Sequence, residues 1–243
     1  MAGTSCVTCP LRNRSLFTPF TDEELEFMQS FKTGEMTVEP GTTLLLEGSN
    51  SPQLLTVLNG MGVRYTAMQN GRRQVINFLF PGDFIGLQAG IFGEMKHSVE
   101  ATTAMTLCVF RRDDLWRLFR QNPARAYDLT WIAAVEEHFL GETISSLGQR
   151  DAIQRIAWAF VRIFERLKAS GMATAGRVPL PFRQQDLADA LGLSLVHTNK
   201  TLKVLRLTGL ARWSDGELEI GRMAELAEIA MIELEKPQQR PLM

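Results

Sequence analysis

Cysteine is scarce: three in 243 residues, an odd number that does not suit a disulfide framework and fits reduced thiols better. Histidine is as rare, and His97, His138 and His197 fall in three separate segments. The sequence holds no His-rich metal motif, Ser-His-Asp set, paired carboxylate cluster or phosphate-cradling loop, so nothing in it points to an enzyme. No run of about 18 apolar residues occurs, which excludes a conventional membrane span. The opening Met1-Ala2-Gly3-Thr4-Ser5-Cys6 lacks the charged start and apolar core of a secretory signal, so a cytoplasmic protein is expected. No internal repeat is strong enough for a solenoid.

Net charge is also nearly absent, at −1 for the whole chain. Its distribution is uneven. Residues 1–149 carry 12 Lys and Arg against 16 Asp and Glu, and residues 213–243 carry 3 against 7. Residues 150–212 carry 11 against 4, a net of +7. A concentrated basic segment is what a polyanion-binding module needs.

The chain reads in blocks. Residues 1–20 hold Cys6-Val7-Thr8-Cys9, two thiols three apart that can face one metal or cluster or form a redox pair. Thr21 followed three residues later by Glu24 is a capping box that opens a helix carrying Leu25, Phe27 and Met28. From about 36 to 110 the pattern becomes short and extended. Strands are predicted over 43–46, 54–58, 63–67, 74–80 and 105–110, punctuated by Pro40-Gly41, Asn59-Gly60, Asn70-Gly71 and Pro81-Gly82. This spacing predicts an antiparallel sandwich or jelly roll.

Helical periodicity returns at 113–121 and stops at Asn122-Pro123. A long helix is then predicted over 125–147. Its stripe of Leu129, Ile132, Val135, Phe139, Thr143, Ile144 and Leu147 suits pairing with a twin helix, or packing on the sandwich. Gly148-Gln149-Arg150 is expected to interrupt it as a hinge. Another amphipathic helix follows over 151–169.

Residues 183–210 read as a helix-turn-helix. The first helix, 184–191, places Leu187, Ala188 and Leu191 on one face. Gly192 supplies the turn and Ser194 caps a second helix, 195–207, that buries Leu202 and Leu205 and stops before Gly209. The spacing also fits an ordinary helical hairpin, and the basic charge of the same segment tips the reading to nucleic acid. Residues 211–213 and 217–220, around Ser214-Asp215-Gly216, form a hairpin wing. A last helix is predicted over 223–234, and 236–243, with two prolines, is expected to fray.

The order jelly roll, long helix, winged helix-turn-helix resembles the bacterial cyclic-AMP receptor / fumarate-nitrate regulator (Crp/Fnr) superfamily of transcription factors. The resemblance covers essentially the whole chain. Its most specific pieces are Phe80-Pro81-Gly82-Asp83-Phe84-Ile85-Gly86 and Gln185-Asp186-Leu187-Ala188-Asp189-Ala190-Leu191-Gly192-Leu193-Ser194. It implies an α+β fold with an N-terminal cysteine segment (1–20), a cyclic-nucleotide-binding-like sensor (21–122), a dimerisation helix (123–148), a winged helix-turn-helix (149–235) and a tail (236–243). It further implies a homodimer on an inverted-repeat operator in double-stranded DNA, with RNA polymerase as a partner, the two recognition helices entering major grooves about 34 Å apart. On the second helix Asn199 can bond an adenine edge and Lys200 can donate to guanine. His197 can meet a base or a phosphate, Leu195 and Val196 can meet thymine methyl groups, and Ser194 lies at the helix start. Arg183, Lys203 and Arg206 are expected to clamp phosphates.

Two departures concern the signal. Cyclic-nucleotide binders of the family carry Gly-Glu after the Pro-Gly turn and Arg-Ser eleven residues beyond that glycine. This chain has Gly86-Leu87 and His97-Ser98. Leucine cannot accept the ribose hydroxyl and neutral histidine is a poor substitute for a guanidinium on a phosphate, so tight cyclic-AMP binding is not expected. The oxygen-sensing branch holds a [4Fe–4S] cluster on four cysteines. Cys6 and Cys9 match the first pair, Cys108 matches the distant ligand, and Ser15 stands at the remaining position. A cluster, a Cys6–Cys9 dithiol switch and a set of inert thiols all stay open, as does a constitutive regulator whose sensor has no ligand.

Overall fold

The computed structural model describes residues 3–234 and 238–243. The chain divides into two units, Met1–Glu136 with Gln239–Met243, and Glu137–Gln238.

The first unit begins with a 3-10 turn, Cys6–Thr8, and helix α1, Asp22–Phe31. The Thr21 capping box is present in both directions. The Glu24 N–H donates to Thr21 Oγ1 at 3.2 Å, and the Thr21 N–H donates to Glu24 Oε2 at 2.9 Å. Eight strands follow: β1 (Lys32–Val38), β2 (Thr43–Leu45), β3 (Gln53–Asn59), β4 (Gly62–Ala67), β5 (Arg73–Leu79), β6 (Phe84–Ile85), β7 (Ser98–Ala101) and β8 (Met105–Arg111). They form two antiparallel four-stranded sheets, ordered β1-β8-β3-β6 and β2-β7-β4-β5. Leu55, Val57, Leu79, Val99 and Leu107 belong to one apolar core. Leu54, Phe31, Phe84 and Phe110 belong to a second, under the helices. Successive residues of β3, such as Leu54 and Leu55, therefore face different cores, as a strand's two-residue period requires.

Helices α2 (Leu87–Phe92), α3 (Leu115–Gln121) and the first half of α4 (Pro123–Gln149) complete the helical part of the first unit, and α4 from Glu137 on belongs to the second. Three corrections arise here. Strands β1, β6 and β7 and helix α2 are additions to the elements expected from the sequence. The proposed stripe of α4 does not form one surface. Leu129 and Ile132 lie in the core of the first unit, whereas Val135 and Ile144 are exposed, together with Leu140. The interruption expected at Gly148-Gln149-Arg150 is present but falls at its last residue, since the helix passes through Gly148 to Gln149. The break comes at Arg150–Asp151, because Asp151 starts the next helix by its own capping box: the Gln154 N–H donates to Asp151 Oδ1 at 3.0 Å and the Asp151 N–H donates to Gln154 Oε1 at 2.9 Å. One helical glycine costs only about 1 kcal/mol, too little to end a 27-residue helix.

A fourth correction concerns the end of the sequence. Of the stretch 236–243, residues 236 and 237 lie outside the described residues. The remainder is not frayed. Arg240 forms a parallel bridge with Phe17, and Leu242 and Met243 are each only 4% exposed.

The second unit is built on helix α5, Ala152–Ala169, whose Ile156, Ala157, Phe160, Val161 and Leu167 are all buried. Around it come β9 (Arg177–Pro179), α6 (Gln184–Leu191), α7 (Leu195–Leu207), β10 (Ala211–Ser214), β11 (Glu217–Ile220) and α8 (Met223–Ala230). The sheet is ordered β10-β11-β9. Ser214 pairs with Glu217, so Asp215 and Gly216 are a two-residue hairpin turn. Both have positive φ, +56° and +75°, as a type I′ turn demands. Trp213 on β10 packs edge-on against Phe160 and donates its indole N–H to the Leu180 carbonyl at 2.9 Å, which fixes the wing to α5.

Candidate nucleic-acid interface and sensor site

Helices α6 and α7 are joined by a turn that only the sequence Gly192-Leu193-Ser194 explains. Gly192 closes α6 in the left-handed region at φ +63°, where its N–H donates to the Ala188 carbonyl. Ser194 then caps α7, its Oγ accepting the His197 N–H at 3.2 Å. The first helix buries Leu187, Ala188 and Leu191. The second buries Thr198, Thr201 and Leu205. Leu202, expected in the core, is only half-buried. Positions three and four apart share a helix face, so the opposite face of α7 is fixed by that burial. It carries Val196, Asn199, Lys200 and Lys203, all exposed, flanked by exposed His197 and Arg206. Leu195 is 39% exposed and Val196 65%.

The basic residues of this segment divide into two groups. Arg155 is structural: its guanidinium donates to the carbonyls of Arg150, Leu191 and Leu147 at 2.8, 3.1 and 2.8 Å, closing the ends of α4 and α6. Arg183, expected as a phosphate clamp, holds the buried Asp186 with two bonds of 3.0 and 2.7 Å. Asp186 also accepts the Arg183 N–H, so the pair caps α6. Much of the Arg183 charge is therefore neutralised in place. Among the described residues, Lys200, Lys203 and Arg206 have no carboxylate within ion-pair distance. The positive charge of these three residues lies on the exposed side of α7, beside Asn199 and the apolar Val196.

In the sensor, Gly86 opens α2 at φ +96°, and a Cβ there would stand 3.0 Å from the Gln53 carbonyl oxygen. Leu87 packs against the apolar cluster under the helices. His97 and Ser98 lie at the start of β7, 8% and 4% exposed. Burial, reinforced by the nearby Arg64 charge, pushes the His97 imidazole down to about 4. It is neutral at physiological pH. The Ser98 hydroxyl accepts the Glu47 N–H at 3.0 Å. Arg64, which sequence reading missed, is a buried guanidinium on β4 that donates to Glu136 at 2.8 Å and to the Phe84 carbonyl at 2.9 Å. A lone arginine in a strand gives no local signal of such a partner 72 residues away.

The three cysteines, 102 residues apart in sequence from first to last, line one cavity together with Lys32, Thr56, Phe20 and Met243. Cys6 and Cys9 begin and follow a 3-10 turn, which places positions three apart on the same side. Cys108 lies on β8 between Glu35 of β1 and Thr56 of β3. Burial pushes the Cys108 thiol up to about 11, against the pull of Lys32, and burial also raises Cys6.

This arrangement does not fit a four-iron cluster. The cavity has a volume of about 30 Å³, room for roughly one water. Ser15 is exposed and outside the cavity lining. Among the described residues, no group of three or more His, Cys, Asp or Glu side chains is placed to hold a metal ion.

Comparison with known proteins agrees with the two-part architecture. Residues 35–122 match the cyclic nucleotide-binding domain and residues 154–229 match the Crp-like helix-turn-helix domain. The nitrogen fixation regulation protein FixK of Rhizobium meliloti is 30% identical over 181 residues, covering 74% of this chain and 78% of that protein. The transcriptional activator protein FnrL of Cereibacter sphaeroides is 26% identical, covering 84% of this chain and 83% of that one. The structure of FixK2 from Bradyrhizobium japonicum superposes with a TM-score of 0.73 at 22% identity, over 83% of this chain and 98% of that chain, a likeness of fold. Among the described residues no helix is long and apolar enough to cross a membrane. The domain matches and the FixK relative establish that this chain belongs to the Crp/Fnr family of DNA-binding transcription regulators.

Proposed function

We propose that the chain acts as a homodimer on an inverted-repeat operator, with α7 of each copy in the major groove. The observation that carries this reading is the division of α7 into a buried face of Thr198, Thr201 and Leu205 and an exposed face of Val196, Asn199, Lys200 and Lys203. Asn199 and Lys200 read base edges, Leu195 and Val196 meet thymine methyls, and His197, Lys203 and Arg206 hold phosphates. Ser194 positions the helix start, and Arg183 serves mainly to cap α6. Pairing runs along α4, where Leu140 and Ile144 are 41% and 71% exposed at a helical spacing of four. RNA polymerase is the partner through which bound protein changes transcription, in the cytoplasm.

The signal in this reading is thiol chemistry at Cys6 and Cys9 rather than cyclic AMP. Convergence of three cysteines on one cavity supports the first part. Leu87 in an apolar cluster and a neutral, buried His97 support the second, since neither replaces the groups a cyclic nucleotide needs. The Cys6–Cys9 disulfide would form by loss of two electrons and two protons to a peroxide, which is reduced to water or alcohol. The test is operator binding by reduced and peroxide-treated protein. A change in affinity on oxidation that is abolished in Cys9→Ser is expected. Equal affinity in both states favours the second reading, a constitutive regulator with an unliganded sensor.

A further inference from the structure

We propose that the sensor unit contains a binding site for the chain's own segment Gln239–Met243, and that seating this segment closes the cavity shared by the three cysteines. This goes beyond the DNA-binding reading and stands or falls independently of it.

The site is built from both backbone and side chains. The Arg240 N–H donates to the Leu16 carbonyl at 2.9 Å, and the Thr18 N–H donates to the Arg240 carbonyl at 2.9 Å. The segment is thus added beside residues 16–18 as a short parallel strand, a mode of peptide capture in which the main chain supplies affinity and side-chain pockets supply selectivity. The Arg240 side chain reaches Asp83, the acid of the Pro-Gly-Asp turn, at 3.3 Å, with side-chain exposures of only 11% and 2%.

Two further polar groups inside the unit point at carbonyls of the same segment. Thr56, 2% exposed, donates its hydroxyl to the Met243 oxygen at 2.6 Å. Arg125, 3% exposed, donates to the Leu242 oxygen at 3.1 Å. A hydroxyl at this depth is costly unless bonded, so the aim of Thr56 at the segment marks a prepared seat, to which Arg125, also paired with Asp128 and Glu24, adds a further bond. Met243 completes the apolar cluster of Phe31, Phe84 and Phe110.

The link to the cysteines is steric. Leu242 and Met243 line the same cavity as Cys6, Cys9 and Cys108, and with them in place about 30 Å³ remains. An adduct larger than a water that extends into this cavity needs the volume those two side chains occupy. Seating of the segment and modification of the thiols therefore oppose each other, and the coupling is reciprocal. The ligand class is a short peptide with a basic residue followed by Pro-Leu-Met, supplied by the chain itself.

Hydrogen exchange on the intact, reduced protein is the first test. The Arg240 amide, bonded to the Leu16 carbonyl, and the buried Leu242 and Met243 amides should exchange on the order of a hundredfold slower than in the free peptide Gln-Gln-Arg-Pro-Leu-Met. Labelling the thiols with N-ethylmaleimide should abolish that protection. Free-peptide rates in the unlabelled protein, or protection that survives labelling, overturn the proposal. The second test uses iodoacetamide on the intact chain, on a variant ending at Gln238 and on Leu242→Asp. Alkylation of Cys6 and Cys108 should accelerate about tenfold in both variants, and adding the free peptide to the shortened chain should slow it again. Equal rates in folded variants and the intact chain overturn the proposal, and if the variants do not fold, the exchange result on the intact chain decides.

Discussion

Lys200 and Lys203 lie three residues apart on the exposed face of α7, yet the account gives them different jobs, and a salt titration separates them. Each substitution acts twice in a homodimer. Lys203→Ala removes two phosphate contacts, so the slope of log K against log salt should become shallower by about 1.8, from about 0.9 per phosphate. Its loss of affinity should be the same on the operator and on every single-base variant. Lys200→Ala removes a base contact worth about 1–3 kcal/mol in each half-site, hence about 2–6 kcal/mol for the dimer. That is roughly 30-fold to twenty-thousandfold at about 1.4 kcal/mol per decade. It should also flatten the preference at one base pair of each half-site. Nothing else in the fold should change, because both side chains are exposed and the buried face of the helix is Thr198, Thr201 and Leu205. Fluorescence anisotropy of labelled operator and its base variants, from about 50 to 200 mM salt, measures both quantities. If Lys200→Ala weakens all sequences evenly and its slope shifts by the same 1.8, Lys200 is a phosphate contact and the assignment of base reading is wrong. If neither variant alters binding, α7 is not the interface.

Other consequences are simpler. Gly192→Ala keeps ordinary space around its new Cβ, 3.6 Å from Leu147, but forces alanine to φ +63°, so it should cost about 1–2 kcal/mol, read as a lower Tm. Ser194→Ala should cost about 1 kcal/mol by leaving the His197 N–H without its cap, measured by denaturant unfolding. His97 is held neutral in the fold with its pKa at about 4, below the ordinary 6.5, so the unfolded chain binds the extra proton between those values. Its contribution is complete above pH 6.5 and is lost as pH falls toward 4, about 1 kcal/mol per pH unit at the steepest. In His97→Gln that part of the pH dependence should vanish from urea midpoints. Cys108, raised to about 11 and buried on β8, should resist iodoacetamide at pH 8, and mass mapping showing it as the fastest thiol would contradict this.

What the sequence disclosed depended on how local the signal was. The two helices at 184–191 and 195–207 were readable to the residue because a glycine that must sit at positive φ and a serine cap stand between them. The Asp215-Gly216 turn was readable for the same reason. Strand β1 was overlooked because Lys32-Thr33-Gly34-Glu35 follows α1 without a breaker and is largely polar. Leu129 and Ile132 share the helical period of Ile144 but not its surroundings, since periodicity reports a face and not what covers it. The partners of Arg64 and Thr56 lie 72 and 187 residues away, distances at which composition carries no information. The same holds for the stretch 236–243, whose two prolines suggest fraying, whereas its residues 239–243 pair with residues 15–18.

In the proposed mode of action two copies of α7 read one symmetric site. Selection of bound sequences from random duplex DNA, with sedimentation of the recovered complex, tests it most directly. The expected result is an inverted repeat whose half-sites are centred about one helical turn apart, bound by two chains. A single asymmetric site bound by one chain, or recovery of DNA with no shared sequence, would contradict it.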